Sequence, residues 1–548
     1  MRRDLKTIAE TGWDVLVIGG GISGASILRD AAMRGLKAAL VEKKDFSHAT
    51  SSATSKVVHG GLRYLKNFEF GLIRESLRER RVWERIAPHL VYPLPFLVPA
   101  LESDRKGSFV LNAGLTVYDW LSYDRAWLDD PDQRIPGHDR LNKDDALAAE
   151  PVLARDGLAG ALRYYDCQMY QPERLGFESI ADAIALGAAA ANYAEVTGFL
   201  RDGKKVTGAR VRDLGTGETH DVRARVVVNA SGPWADYMLG LAEDGEPSRK
   251  LIRSKGIHLI VRSLTKSHAI ASITSAGHFF VLPWRGHTIL GTTDTVFEGK
   301  PEDVGVSEKD IETYLAQINA GLPAAKLTRA DVRHFYVGLR PLVDDGSKDS
   351  KAQNSYGASR RAEVCDHAGD GADGLVSTIG GKWTTSRHLA EKTIDLVFRK
   401  LNRSAPACAT ATTPLRAGRI GNFKAFAAKT RAAHPQLPPD AANNLARIYG
   451  ANAEAVMALA QGNDAGLTEP LNAELPDIAA QVAHAARNEM AMTLEDALFR
   501  RTGIGTLGHP GARALERAAA VMAKELNWGD ARAAEEIAAV ERRYRTQA

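Results

Sequence analysis

At 548 residues the chain is too long for one ordinary hydrophobic core, and two or three domains are expected. A composition of 44% hydrophobic and 25% charged residues excludes a disordered or fibrous chain, and 71 basic against 67 acidic residues leave +4, too slight an excess for nucleic acid as principal partner. Cys167, Cys365 and Cys408 lie far apart with neither C-x-x-C nor metal-ligand spacing, which fits a reducing cytoplasmic compartment and predicts no metal site.

Residues 1–12 are too polar for a signal peptide, and no stretch reaches transmembrane length, so any membrane contact is expected from the surface. Residues 14–18 form an apolar run that leads into Gly19-Gly20-Gly21-Ile22-Ser23-Gly24. Residues 25–34 suit a helix, Gly35 ends it, 36–41 read as a second strand, and Glu42 stands at its end. In a dinucleotide fold Gly19, Gly21 and Gly24 allow a tight turn, close approach to a pyrophosphate and close helix packing. The helix start offers unpaired amides to the phosphates, and the acid accepts from the adenosine ribose.

The serine-rich segment 49–56 suits a loop lying along an extended cofactor, with a plain solvated loop as the alternative. Residues 70–87 predict an amphipathic helix, apolar at Leu72, Ile73, Leu77, Trp83 and Ile86 and basic at Arg74, Arg78, Arg81 and Arg85. Its basic face is either merely solvated or a contact for anionic lipid. The apolar run 91–101 is short and broken by Pro93, Pro95 and Pro99, and 129–150 reads as a connection.

Residues 206–212 and 224–228 read as strands joined by a turn at 214–218, and the second ends in Asn229-Ala-Ser-Gly-Pro-Trp-Ala235, a small-residue turn suited to a cofactor at a sheet edge. Segments 255–261 and 279–293 predict a second sheet, 307–320 a helix capped by Ser307, and 344–350 a polar stretch. Strand 374–379, the turn Gly380-Gly-Lys-Trp-Thr-Thr385 and helix 386–401 repeat the strand, glycine turn, helix order. Beyond a linker at 403–414 the chain reads as helical, with a capping box at Thr493 and Asp496 and no evident chemistry.

The string T-S-S-A-T-S-K-V-V-H-G-G-L-R-Y-L at 50–65, followed in order by N-A-S-G-P-W-A, I-L-G-T-T-D, V-G-L-R-P-L and G-G-K-W-T-T, closely resembles the FAD-dependent respiratory glycerol-3-phosphate dehydrogenase family. The resemblance implies an α/β fold: a glutathione-reductase-like Rossmann FAD domain, an inserted antiparallel-sheet substrate domain and an all-α C-terminal domain. It places the oxidoreductase region at 12–402, with FAD segments near 12–66, 150–236 and 365–402, substrate segments near 67–149 and 237–364, and the helical domain at 403–548. It implies oxidation of sn-glycerol 3-phosphate to dihydroxyacetone phosphate by hydride transfer to flavin N5. Electrons then pass to a quinone at the inner face of the cytoplasmic membrane, and a homodimer is possible.

By motif position, Gly19, Gly21, Gly24, Glu42, Ser51, Ser52, Ser55, Lys56, Gly232, Gly381 and Thr384 look like FAD contacts, and Arg63, Tyr64, Thr292, Arg340 and Lys382 like substrate contacts. A phosphomonoester carries close to two negative charges, which calls for several cations, and Arg63, Arg340 and Lys382 each sit in glycine-flanked sequence that reads as loop. The C2 hydroxyl needs a base within reach. His258 and His59 are the candidates, His258 preferred, while Arg340 could polarise the hydroxyl instead. The alternatives left open are a glycerol-3-phosphate oxidase using oxygen, an amine or amino-acid oxidase on the same scaffold, and a non-catalytic flavoprotein.

Overall fold

Strand Trp13–Ile18 is apolar throughout its buried positions because it runs parallel inside a sheet covered on both faces. It pairs with Ala38–Val41 on one side and Thr219–Asn229 on the other, and Ala189–Ala191 and Leu375–Gly380 extend the sheet in parallel. Val15 lies opposite Ala38, and Ile18 opposite both Val41 and Asn229, so three carboxyl ends finish level. The computed structural model describes all residues except 244, 275–276, 344–361, 461–464 and 548, so the polar stretch at 344–350 lies outside the described residues. Helices Ile22–Met33, Pro172–Ala185 and Ser386–Lys400 bury one face of the sheet, and helices Leu5–Glu10 and Ala235–Glu243 pack on the other.

The second sheet is built around the long strands Val91–Leu101, Leu158–Met169, Leu251–Arg262 and Val332–Val343. Among the described residues its pairings are antiparallel except for Ala269–Ile270 beside Phe96–Leu97. Val57–Val58 and Leu158–Met169, which sequence places in cofactor segments, pair within this second sheet. Pro93, Pro95 and Pro99 share one parity, so their missing donors fall on a single edge of their strand, where the neighbouring strand pairs over only two residues. The stretch 129–150 is more than a connection. It holds strand Asp139–Asn142 and helix Lys143–Ala149, elements too short and polar to show periodicity.

The C-terminal helices close around Leu445, Ile448, Tyr449, Val482, Leu494 and Leu498. The Asp496 amide donates to Thr493 Oγ1 (3.2 Å) and the Thr493 amide to Asp496 Oδ2 (3.0 Å), which is the reciprocal cap expected there. The π-helical turn Asp496–Arg501 then points two guanidinium groups back into the cofactor layer. Arg500 and Arg501 reach buried Asp45 at 2.7 and 2.8 Å, and Arg174 pairs with Glu489 at 2.7 Å.

Candidate functional site

A cavity of about 1820 Å³ runs from the carboxyl ends of the parallel strands to the second sheet. At its first end the glycine turn is required by contact. A Cβ at Gly24 would stand 1.9 Å from the Gly19 carbonyl oxygen, and one at Gly19, whose φ is +106°, would stand 2.6 Å from the Ala230 oxygen. The helix Ile22–Met33 begins here, with Ser51 Oγ accepting from the Ile22 amide at 2.8 Å and lying 3.0 Å from where a Gly21 side chain would start. Glu42 accepts from the Gly20 amide at 2.6 Å and the Lys44 amide at 2.9 Å. Burial raises its carboxyl above the usual range, and the Lys44 and Gly20 amides partly offset the rise. A bare backbone turn, a helix N-terminus, a hydroxyl and an acid at the strand end in one cleft fit the pyrophosphate and adenosine of a dinucleotide.

The remaining predicted cofactor residues divide. Ser55, Gly232, Gly381 and Thr384 line the cavity, the two glycines at φ +57° and +90°, and Thr384 Oγ1 accepts from the His59 amide at 3.3 Å. Ser52 also lines it, but its hydroxyl donates to the Ala49 carbonyl at 2.8 Å. Lys56 is fully buried with its ammonium 2.8 Å from Glu173 and over the Trp284 ring, so its charge is committed to the protein interior.

At the other end Arg63 and Lys382 meet on Tyr64. The Arg63 guanidinium carbon lies 5.1 Å and the Lys382 nitrogen 4.5 Å from the Tyr64 ring centre, and Lys382 also donates to Ser76 Oγ. Arg63 comes from the 3-10 turn Leu62–Asn67, and Lys382 from the turn after strand Leu375–Gly380.

Arg340 is not in a loop: it sits within strand Val332–Val343, opposite Ser254. Its guanidinium donates to Ser254 Oγ (2.9 Å), Thr292 Oγ1 (2.9 Å) and the Thr293 carbonyl (3.2 Å), while Ser254 Oγ donates to Asp294 at 2.5 Å. The paired strands set Gly256 beside Gly338 and His258 beside Tyr336. A Cβ on Gly256 would strike Arg340 at 2.4 Å, and one on Gly338 would strike Ala53 at 2.8 Å, so two glycines make a flat floor between Arg340 and the His258 ring.

His258 is buried, stacks on Tyr336 with ring centres 4.9 Å apart, and holds Nε2 2.9 Å from Ser55 Oγ. Burial drives its pKa well below the ordinary value, and Arg340 and Lys56 push in the same direction, so the imidazole is neutral. His59 lines the same cavity.

Sequence reasoning missed Ser254 and Asp294, which fix Arg340, and Asp166, which accepts from the Gly60 amide, Arg80 and Tyr118 beneath the cavity. Asp294 closes the I-L-G-T-T-D string, a signal that could have found it, whereas Ser254 and Asp166 stand in no motif. Strand register alone brings Ser254 to Arg340, and Asp166 lies in an ordinary strand sequence.

Residues 14–387 match the FAD dependent oxidoreductase family, and residues 408–533 match the C-terminal domain of alpha-glycerophosphate oxidase. A glycerol-3-phosphate dehydrogenase of Synechocystis is 38% identical over 516 residues, covering 92% of this chain and 90% of the relative. Glycerol-3-phosphate dehydrogenase 2 of Mycobacterium tuberculosis is 35% identical over 97% of this chain and 88% of its own length. The crystal structure of glycerol-3-phosphate dehydrogenase from Bacillus halodurans, complexed with FAD, superposes with a TM-score of 0.77 at 28% identity, covering 98% of this chain and 95% of that one. With the cleft matching a dinucleotide and both family matches falling on the regions just described, the chain belongs to the FAD-dependent glycerol-3-phosphate dehydrogenase family.

Proposed function

We propose that this chain oxidises sn-glycerol 3-phosphate to dihydroxyacetone phosphate and delivers the electrons to a quinone at a membrane surface. The observation that carries the substrate is the convergence of Arg63 and Lys382 on Tyr64, two cations from distant segments at one end of the cavity. A phosphate dianion is the ligand such a pair suits, and a monoanionic carboxylate needs fewer charges. When bound, FAD supplies the two-electron acceptor for the hydrogen at C2.

The chain's own residues do the rest. Arg63 and Lys382 hold the phosphate, and Arg340, fixed by Ser254 and Thr292, orients the C2 oxygen and stabilises the charge that grows there. We assign the hydroxyl proton to His258, which is neutral and carries Ser55 on Nε2; His59 is the second candidate. Ser51, Gly19, Gly21, Gly24 and Glu42 hold the dinucleotide end, and Ser52, Ser55, Gly232, Gly381 and Thr384 line its remaining length.

The membrane reading rests on an apolar face. Helix Arg105–Leu121 buries Leu115 and Tyr118 but exposes Phe109, Ala113 and Trp120, spaced to share one side. Trp120 is 75% and Phe109 70% exposed, and Phe68, 76% exposed, follows the turn Leu62–Asn67 on which this helix packs through Gly114 and Leu65. An exposed patch of large apolar side chains beside basic Lys66, Arg105 and Lys106 fits an interfacial contact, although Glu102 and Asp104 share that end. The basic face of helix Phe70–Ile86 does not supply it: Arg74 and Arg81 pair with Asp124, Arg78 with Glu79, and Arg85 donates to the Trp127 carbonyl. No described helix is long and apolar enough to cross a membrane.

Turnover with a quinone on lipid vesicles, measured beside peroxide release, tests the acceptor. Fast quinone reduction with little peroxide is expected, and peroxide as the main product would identify oxygen as the acceptor instead.

A further inference from the structure

The mouth of the cavity at its dinucleotide end is crossed by one carboxylate. Lys43 directly follows Glu42, at the end of strand Ala38–Val41. Trp234 ends the turn Gly232–Trp234 after strand Thr219–Asn229, which lies two places along the same sheet, and Glu302 comes from the turn Pro301–Asp303 beside the second sheet. A single Glu302 oxygen, Oε1, accepts from Lys43 Nζ at 2.6 Å and from the Trp234 indole N–H, while Lys43 Nζ lies 4.3 Å from the Trp234 ring centre. All three line the cavity, so two lips carried by different sheets are joined across it.

The segment bearing Glu302 is held from behind by the last described residues. The Gln547 amide donates to the Val306 carbonyl at 2.8 Å, and Thr546 Oγ1 donates to Glu308 Oε1 at 3.0 Å. The Gln547 side chain lies against Gly305, its amide carbon 1.9 Å from where a Cβ there would start. The helical C-terminal domain thereby reaches the cofactor cleft a second time, independently of the Asp45 pairs.

We propose that Lys43, Trp234 and Glu302 form a clasp over the adenosine half of FAD, supported by the Gln547 strand contact, and that opening it limits release of the dinucleotide. The inference rests on FAD occupying this cleft and is independent of the substrate and acceptor. Glu302 is half exposed, and a pair of that kind contributes little to fold stability. The clasp therefore acts on the rate at which cofactor leaves rather than on the folding of the protein.

The test is FAD release from the holoenzyme, followed by recovery of flavin fluorescence after dilution into a trap, for Glu302→Ala and Lys43→Met. Release about tenfold faster in each, equivalent to about 1.4 kcal/mol, is expected. The double variant should be no faster than either single one, the apoprotein melting temperature unchanged, and the KM for glycerol 3-phosphate at saturating FAD unchanged. Gln547→Pro, which removes the amide donor to Val306, should also hasten release. Rates within about twofold of the parent in both single variants would overturn the clasp. If Glu302→Ala does not fold, Lys43→Met decides alone, since Lys43 lies at the surface of its strand end.

Discussion

Lys382 sets its ammonium 4.5 Å from the centre of the Tyr64 ring, on which Arg63 also rests at 5.1 Å. Both line the cavity. Hydrogen bonds to charged groups are worth about 1.5–3 kcal/mol, so Lys382→Ala should raise the KM for glycerol 3-phosphate by about ten- to a hundredfold with a smaller change in kcat. Steady-state kinetics check this, and an unchanged KM would remove Lys382 from phosphate binding.

The contact between the C-terminal domain and the second sheet should weaken in acid. His334 is buried against the Phe499 and Tyr544 rings, and its pKa is pushed down to about 3 by burial first, then by Arg543 and Lys56. In the unfolded chain the same group titrates near its ordinary value, so below it the unfolded form takes up a proton that the native form refuses. The stabilising difference is complete above about pH 6.5 and is lost as pH falls toward 3, reaching about 2 kcal/mol at pH 5. His334→Gln should therefore lose less Tm between pH 7 and pH 5 than the parent. An equal loss would mean that His334 is protonated in the native protein.

Asp45 is the anchor between domains. Burial raises its carboxyl, but Arg501 and Arg500 outweigh that and hold it well below the usual range. Asp45→Asn leaves two buried guanidinium groups short of their shared anion, a change that costs about 3–5 kcal/mol. A Tm several degrees lower is expected, together with weaker FAD retention because Asp45 stands just beyond Glu42. Thermal melting with flavin fluorescence as one probe reads both.

For the membrane face, Trp120→Ala combined with Phe109→Asp should release the protein from anionic vesicles in co-sedimentation while leaving turnover with a soluble dye acceptor intact. Unaltered sedimentation would exclude helix Arg105–Leu121 as the contact.

Much of this was legible in the sequence where the determinant is local. The glycine turn is dictated by contacts between residues a few positions apart, as Gly24 against Gly19 illustrates, and the level strand ends follow from apolar runs of strand length. The cations were legible as residues but not in their settings. Arg340 reads as loop because Gly338 and Pro341 flank it, yet it is held in a strand by a partner whose Ser254 and Gly256 come from far away. Lys56 sits in the right motif, but its pairing with Glu173 depends on a helix that begins more than a hundred positions later. The same limit hid the C-terminal domain's reach into the cofactor layer, since nothing near Arg500 and Arg501 announces Asp45.

The central claim is that this cleft couples glycerol 3-phosphate to flavin, and the most direct measurement is the flavin absorbance of the purified holoenzyme under anaerobic conditions. Addition of glycerol 3-phosphate should bleach it, and Arg340→Ala should keep its flavin but bleach at least about a hundredfold more slowly, as expected for loss of a group that stabilises the developing charge. A spectrum that stays oxidised at saturating glycerol 3-phosphate would contradict the account.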